Sequence, residues 1–136
     1  MSTDRQATAR NLPERDCLDM GICLSGMSVR RRPRPQYRVM FRLRLHNMGS
    51  ESVRLVGRKW LLRDAAGDTR IIEAAQVFNQ QPVLRPGDVF AYSGCHDFSP
   101  AAPVAMEVRF FGTDQGNRPF ITPPLVFPRQ CFTRGK

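Results

Sequence analysis

The pattern that constrains this chain most is a period of two. Between Tyr37 and His46 one set of alternate positions is Tyr37, Val39, Phe41, Leu43 and Leu45, and the set between them is Arg38, Met40, Arg42, Arg44 and His46. Successive side chains of an extended chain point to opposite faces, so this stretch predicts a β-strand with one face in a core and the other presenting three arginines. The same alternation runs through Leu18, Met20, Ile22 and Leu24, with Cys17, Asp19, Gly21 and Cys23 between them. It predicts a first, half-buried strand over residues 17–24.

Turn chemistry divides the rest. Residues 25–36 hold Gly26, Pro33 and Pro35 around a run of arginines and read as a long exposed loop. Asn47, Gly49 and Ser50 mark a turn before Val53, Leu55, Trp60 and Leu62, which fall in one strand or a pair of strands. Asp64, Gly67 and Asp68 close a hairpin onto residues 70–73. Gln81-Pro82 and Arg85-Pro86-Gly87-Asp88 punctuate the approach to a short strand at 89–93. A loop bounded by Pro100 and Pro103 precedes a strand at 104–111 and a turn at 112–116. The last extended segment, 118–127, contains Pro119, Pro123 and Pro124, which suits an edge strand. Strands punctuated by turns every 8 to 12 residues or so, with no amphipathic helix, predict an all-β sandwich or barrel.

A chain of 136 residues accommodates one such core. Residues 1–16 have neither a strand nor a helix period and read as an irregular N-terminal arm, 17–128 as the β domain and 129–136 as a basic C-terminal tail. No apolar run approaches the roughly 18 residues of a membrane helix, so no membrane insertion is expected. The polar start, with Asp4, Glu14 and Asp16, lacks the apolar run of a secretory signal. An intracellular setting is expected, with a mitochondrion placed ahead of the cytoplasm.

Charge narrows the partners. The formal net charge is +9, and between Ser28 and Arg63 eleven basic residues face the single acid Glu51, so this segment alone carries +10. Ten of the eleven are arginine, whose planar fork grips phosphate with two hydrogen bonds and stacks on bases. Arg38, Arg42 and Arg44 share a strand face on which each step of two residues covers roughly 6 to 7 Å, close to the spacing of successive phosphates. Arg30, Arg31, Arg32 and Arg34 extend that patch from the loop. These seven are the candidate nucleic-acid-binding residues.

Catalytic and metal chemistry is not expected. Cys17, Cys23, Cys95 and Cys131 form no C-x-x-C pair, and His46 and His96 stand apart from them, so no zinc site and no cofactor is expected. The thiols are expected to be reduced, with a Cys17–Cys23 or Cys95–Cys131 disulfide left open. Cys95, His96 and Asp97 adjoin in sequence, but neighbours on a strand point to opposite faces and cannot form a nucleophile–base–orienter chain.

Three ordered pieces of sequence resemble a known family. Gly57-Arg58-Lys59-Trp60 is followed by Gln81-Pro82 and then by Leu84-x-Pro86-Gly87-x-x-Phe90-x-Tyr92-Ser93-Gly94, as in ApaG-like domains. The resemblance covers residues 18–127. It implies a fibronectin type III-like (immunoglobulin-like) antiparallel β-sandwich, found in small bacterial proteins and as a module of larger eukaryotic ones, and generally viewed as a binding or adaptor domain without catalytic activity. Members of the family typically carry a Gly-x-Gly-x-x-Gly loop suggested to bind pyrophosphate, and those glycines fall here on Ala74, Gln76 and Asn79. A phosphate cradle needs glycine so that backbone N–H groups can approach the oxygens, so this departure argues against an inherited pyrophosphate site. The expectation is a non-catalytic subunit that docks on RNA beside neighbouring proteins of a ribonucleoprotein complex, with an organellar ribosome as its setting and no small-molecule substrate. The alternatives are an adaptor that grips a peptide or acidic protein surface, and a pyrophosphate or nucleotide binder.

Overall fold

The structure is a computed structural model that describes residues 15–16, 19–34, 36–75 and 80–133. In chain order the strands are β1 (Arg15–Asp16), β2 (Met20–Arg32), β3 (Gln36–Asn47), β4 (Val53–Asp64), β5 (Thr69–Ala74), β6 (Val83–Leu84), β7 (Val89–Phe98), β8 (Pro103–Thr113), β9 (Pro119–Ile121) and β10 (Leu125–Val126). A four-residue helix α1 (Gln130–Thr133) follows. One sheet has the order β2-β3-β7. The other runs β1-β9-β8-β4-β5, with β10 on β8 and β6 on β4. Every pairing is antiparallel except the short β1–β9 bridge, where Arg15–Asp16, the end of the stretch read as an arm, run parallel to β9. The fold is the expected fibronectin type III-like sandwich.

The alternation that predicted β3 is what fills the sandwich. Val39, Leu43 and Leu45 are fully buried and Phe41 nearly so, and they meet Leu55, Trp60 and Leu62 of β4 and Met106, Val108 and Phe110 of β8. Each such side chain taken out of water contributes about 1.5–3 kcal/mol. At the centre Phe41 lies 4.8 Å from Trp60 and 5.9 Å from Phe127, with His96 edge-on to Trp60 at 4.5 Å. The turn after β3 is tied by Asn47, buried at the end of the strand: its amide donates to the Glu51 and Leu84 carbonyls at 2.8 and 2.9 Å and its Oδ1 accepts from Gly49 N–H.

Two expectations are corrected. Residues 25–36 are not a long loop, because β2 continues to Arg32 and meets β3 through a tight turn at Pro33 and Arg34, the latter with a positive φ of 65°. The register shifts between Leu24 and Gly26, so the inward set changes from Ile22 and Leu24 to Met27 and Val29. That bulge reverses the phase of the alternation, which is why the sequence pattern stops at Leu24. Likewise β7 does not end at Ser93 but runs to Phe98. Its inward positions past Tyr92 are Gly94 and His96, neither of which reads as core, yet the Phe41 ring lies over Gly94 and stacks on His96 at 5.5 Å. The first strand begins at Met20, and Cys17 and Leu18 lie outside the described residues.

Candidate nucleic-acid interface

The outer face of the β2-β3-β7 sheet is assembled row by row by antiparallel register, which places directly opposed residues on one side. Arg30, Arg38 and Asp97 form one row; Ser28, Met40 and Cys95 the next; Gly26, Arg42 and Ser93 a third; and Cys23, Arg44 and Ala91 a fourth. Arg32 lies on the same side, two residues beyond Arg30. Five of the seven candidate arginines therefore share a face. The other two do not: Arg31 pairs with Tyr37 on the opposite side of the sheet, and Arg34 sits at the hairpin tip. The cause is the correction to β2, since an arginine run laid on a strand alternates between faces where a loop could have turned all four the same way.

Asp97 is the sole carboxylate in β2, β3 and β7. Arg38 grips it with two hydrogen bonds, Nε to Oδ1 at 2.8 Å and Nη2 to Oδ2 at 3.1 Å. This fork holds the Asp97 carboxyl below its usual range, with the nearby charge of Arg32 adding to the effect, and raises the guanidinium of Arg38 in return. Both side chains stay partly open to solvent, so the pair steers geometry more than it stabilises the fold. Arg30, Arg32, Arg42 and Arg44 form no ion pair among the described residues. The small side chains flanking Met40 and Arg42 leave a groove of about 530 Å³, lined by Gly26, Ser28, Met40, Arg42, Ser93 and Cys95 together with strand backbone.

The remaining basic residues of the 28–63 segment go elsewhere. On β4, Lys59 faces outward on the other sheet, between Glu73 of β5 and Arg109 of β8, and the next outward position, Leu61, is flanked by Glu107. Arg54 and Arg63 share that outward side at the ends of the strand. Arg58 pairs with the buried Phe110 and so points inward, where its charge reaches both Tyr92 and His96. The charge excess of the sequence thus divides between two faces. The outer face of β2-β3-β7 carries a single carboxylate, Asp97, among its arginines, whereas Glu73 and Glu107 both stand on the outer face of the other sheet.

Strand β7 separates the other suggestive residues. Cys95 and Asp97 are exposed on the outer face, and His96 points into the aromatic centre. Burial, aided by Arg70 and Arg58, lowers the His96 pKa to about 4. Cys23, Cys95 and Cys131 are free thiols, and Cys17 lies outside the described residues. Of the positions matched to the family's glycine-rich loop, Ala74 ends β5, and Gln76 and Asn79 lie outside the described residues. No helix among the described residues is long and apolar enough to cross a membrane. Sequence reasoning missed Asp97 as a partner of Arg38, and it missed the groove. The first would have followed from extending the β7 alternation past Gly94, and the groove needed in addition the continuation of β2 through Gly26 and Ser28.

The ApaG domain family matches this chain over residues 28–109. A protein named ApaG from Acidovorax sp. (strain JS42) is 27% identical over 132 residues, covering 96% of this chain and 85% of that protein. Another of that name, from Paramagnetospirillum magneticum, is 42% identical over 53 residues, which cover 39% of this chain and 41% of the relative. Among solved structures, a protein described as ApaA from Bordetella pertussis superimposes with a TM-score of 0.67 at 21% identity, covering 85% of this chain and 94% of the other. A structural-genomics target superimposes with a TM-score of 0.72 at 16% identity, covering 80% of this chain and 85% of the target.

Proposed function

The chain belongs to the ApaG domain family, and from that premise we propose that it is a non-catalytic binding subunit that docks on RNA within a ribonucleoprotein complex through the outer face of β2, β3 and β7. The observation that carries this reading is the gathering of Arg30, Arg32, Arg38, Arg42 and Arg44 on one sheet face against the single carboxylate of Asp97. A sheet face presenting five guanidinium groups against one carboxylate suits a phosphate backbone, because each phosphate neutralised releases counterions into solution. The antiparallel ladder fixes the spacing of these groups before any partner arrives, so little ordering cost remains for the backbone. A non-catalytic role fits the strand geometry, which sends Cys95 and Asp97 to one side and His96 to the other. The relatives named above come from bacteria, which supports a cytoplasmic setting over the mitochondrial one expected from sequence.

The test is a salt titration of RNA binding. The unaltered protein is expected to lose affinity steeply as salt rises. Changing Arg30, Arg32, Arg42 and Arg44 together to Ala is expected to reduce the slope of log K against log salt by about 3, at roughly 0.7 per phosphate contact on a single strand. Arg38 is left in place because its loss would strand Asp97. Absence of RNA binding at low salt, or a slope that the four substitutions leave unchanged, removes the reading.

A further inference from the structure

Resting on that RNA reading, we infer that the groove across the middle of the arginine face is a seat for an unpaired nucleobase, and that the RNA this face takes is single-stranded. The groove exists because two successive rows carry small residues on both flanking strands. Ser28 and Cys95 flank Met40, and Gly26 and Ser93 flank Arg42. It is an open trough on the sheet face, with a volume of about 530 Å³. The two central side chains are the kinds on which a base stacks: Arg42 supplies a planar guanidinium, and Met40, 37% exposed, supplies a polarisable thioether.

Charge sets the occupant. The groove is bounded along the strands by Arg30 and Arg38 on one side and by Arg44 on the other, with Arg42 inside it. A base seated over Met40 therefore has guanidinium groups on both sides to receive the phosphates of its own strand. An A-form duplex keeps its bases stacked on one another and offers none to a shallow sheet face, so it can use the arginines but not the groove.

Gly26 provides a clean way to fill the groove. A Cβ added there would meet only the Arg42 Cβ, at 3.8 Å, an ordinary contact, so Gly26→Leu puts a side chain into the groove while every arginine of the face is retained. The experiment compares binding of a short oligouridine, an abasic strand of the same length and charge, and a duplex, for the unaltered protein and for Gly26→Leu, with thermal melting to establish folding. Ser93→Leu serves as a second filling variant from the opposite strand. Oligouridine is expected to bind about tenfold more tightly than the abasic strand, within the range a single stacked base contributes. Either filling variant should bring it down to the abasic level without changing the salt slope. Equal, salt-dependent binding of oligouridine and the abasic strand overturns the base seat and leaves the RNA reading intact, as does a folded Gly26→Leu protein that binds oligouridine as before. Failure of all three nucleic acids to bind overturns the RNA reading itself, and the base seat falls with it.

Discussion

Asp97 and His96 are neighbours on β7 with opposite physical roles. Asp97 holds Arg38 in a two-bonded fork on the exposed face, so an RNA phosphate reaching for Arg38 competes with a carboxylate already in place. Asp97→Asn removes the competing charge. It is expected to raise RNA affinity severalfold and to steepen the salt slope by about 0.7 as Arg38 takes up a phosphate, which the same titration reads. An unchanged slope would mean that Arg38 does not face the nucleic acid. His96 looks the other way, into Phe41 and Trp60, and its buried Nε2 has no hydrogen-bond partner among the described residues. The fold keeps this ring neutral down to about pH 4, whereas the unfolded chain protonates it near pH 6.5. Stability is therefore undiminished by His96 above pH 6.5, falls as the pH drops from 6.5 towards 4, and levels off below that. The loss is on the order of 2 kcal/mol after allowance for partial solvent access, and His96→Phe should flatten that part of the profile in urea denaturation at stepped pH.

At the scale of elements, bulges decide which side chains share a face. The shift between Leu24 and Gly26 lets β2 bury Leu24 and then Met27, and it thereby aims Arg30 and Arg32 at the same side as Arg38. A second shift, between Leu55 and Gly57 in β4, brings the backbone of Gly57 against its neighbours. A Cβ there would meet the Ala74 carbonyl oxygen at 2.6 Å and run into the Phe111 ring. Gly57→Ala is expected to cost about 1–3 kcal/mol by overpacking, measured as a lower urea midpoint with an unchanged m value. The glycine of the Gly57-Arg58-Lys59-Trp60 motif is thus explained by packing between strands. The regular strand β3 was legible in the sequence because its period runs long and its inward residues are large and apolar, whereas β4, broken by the shift between Leu55 and Gly57, read as one strand or a pair. The second half of β2 was not legible, because one inserted residue inverts the pattern. The second half of β7 was hidden because a glycine and a histidine stand at inward positions that Phe41 and Trp60 complete from other strands.

Over the whole molecule, the proposal depends on where charge lies and not on how much there is. If net charge alone drew the protein to RNA, any three basic residues would serve equally. If the β2-β3-β7 face does so, changing Arg54, Lys59 and Arg63 of the opposite sheet to Ala should leave the salt slope within about 0.5 of its original value, while the four-arginine variant loses about 3. Losses in proportion to the charges removed, about 2 against about 3, would show a diffuse attraction. The all-β class and the core face of β3 were determined by the sequence alone, because period-two alternation and turn chemistry are local properties that need no partner strand to be read, and the ordered motifs from Gly57 to Gly94 carried the resemblance that implied the sandwich and the family. Only the tertiary structure decided which arginines share a face. Facing depends on register, register depends on bulges and on cross-strand packing, and a single-residue slip sends every side chain of a strand to the other side.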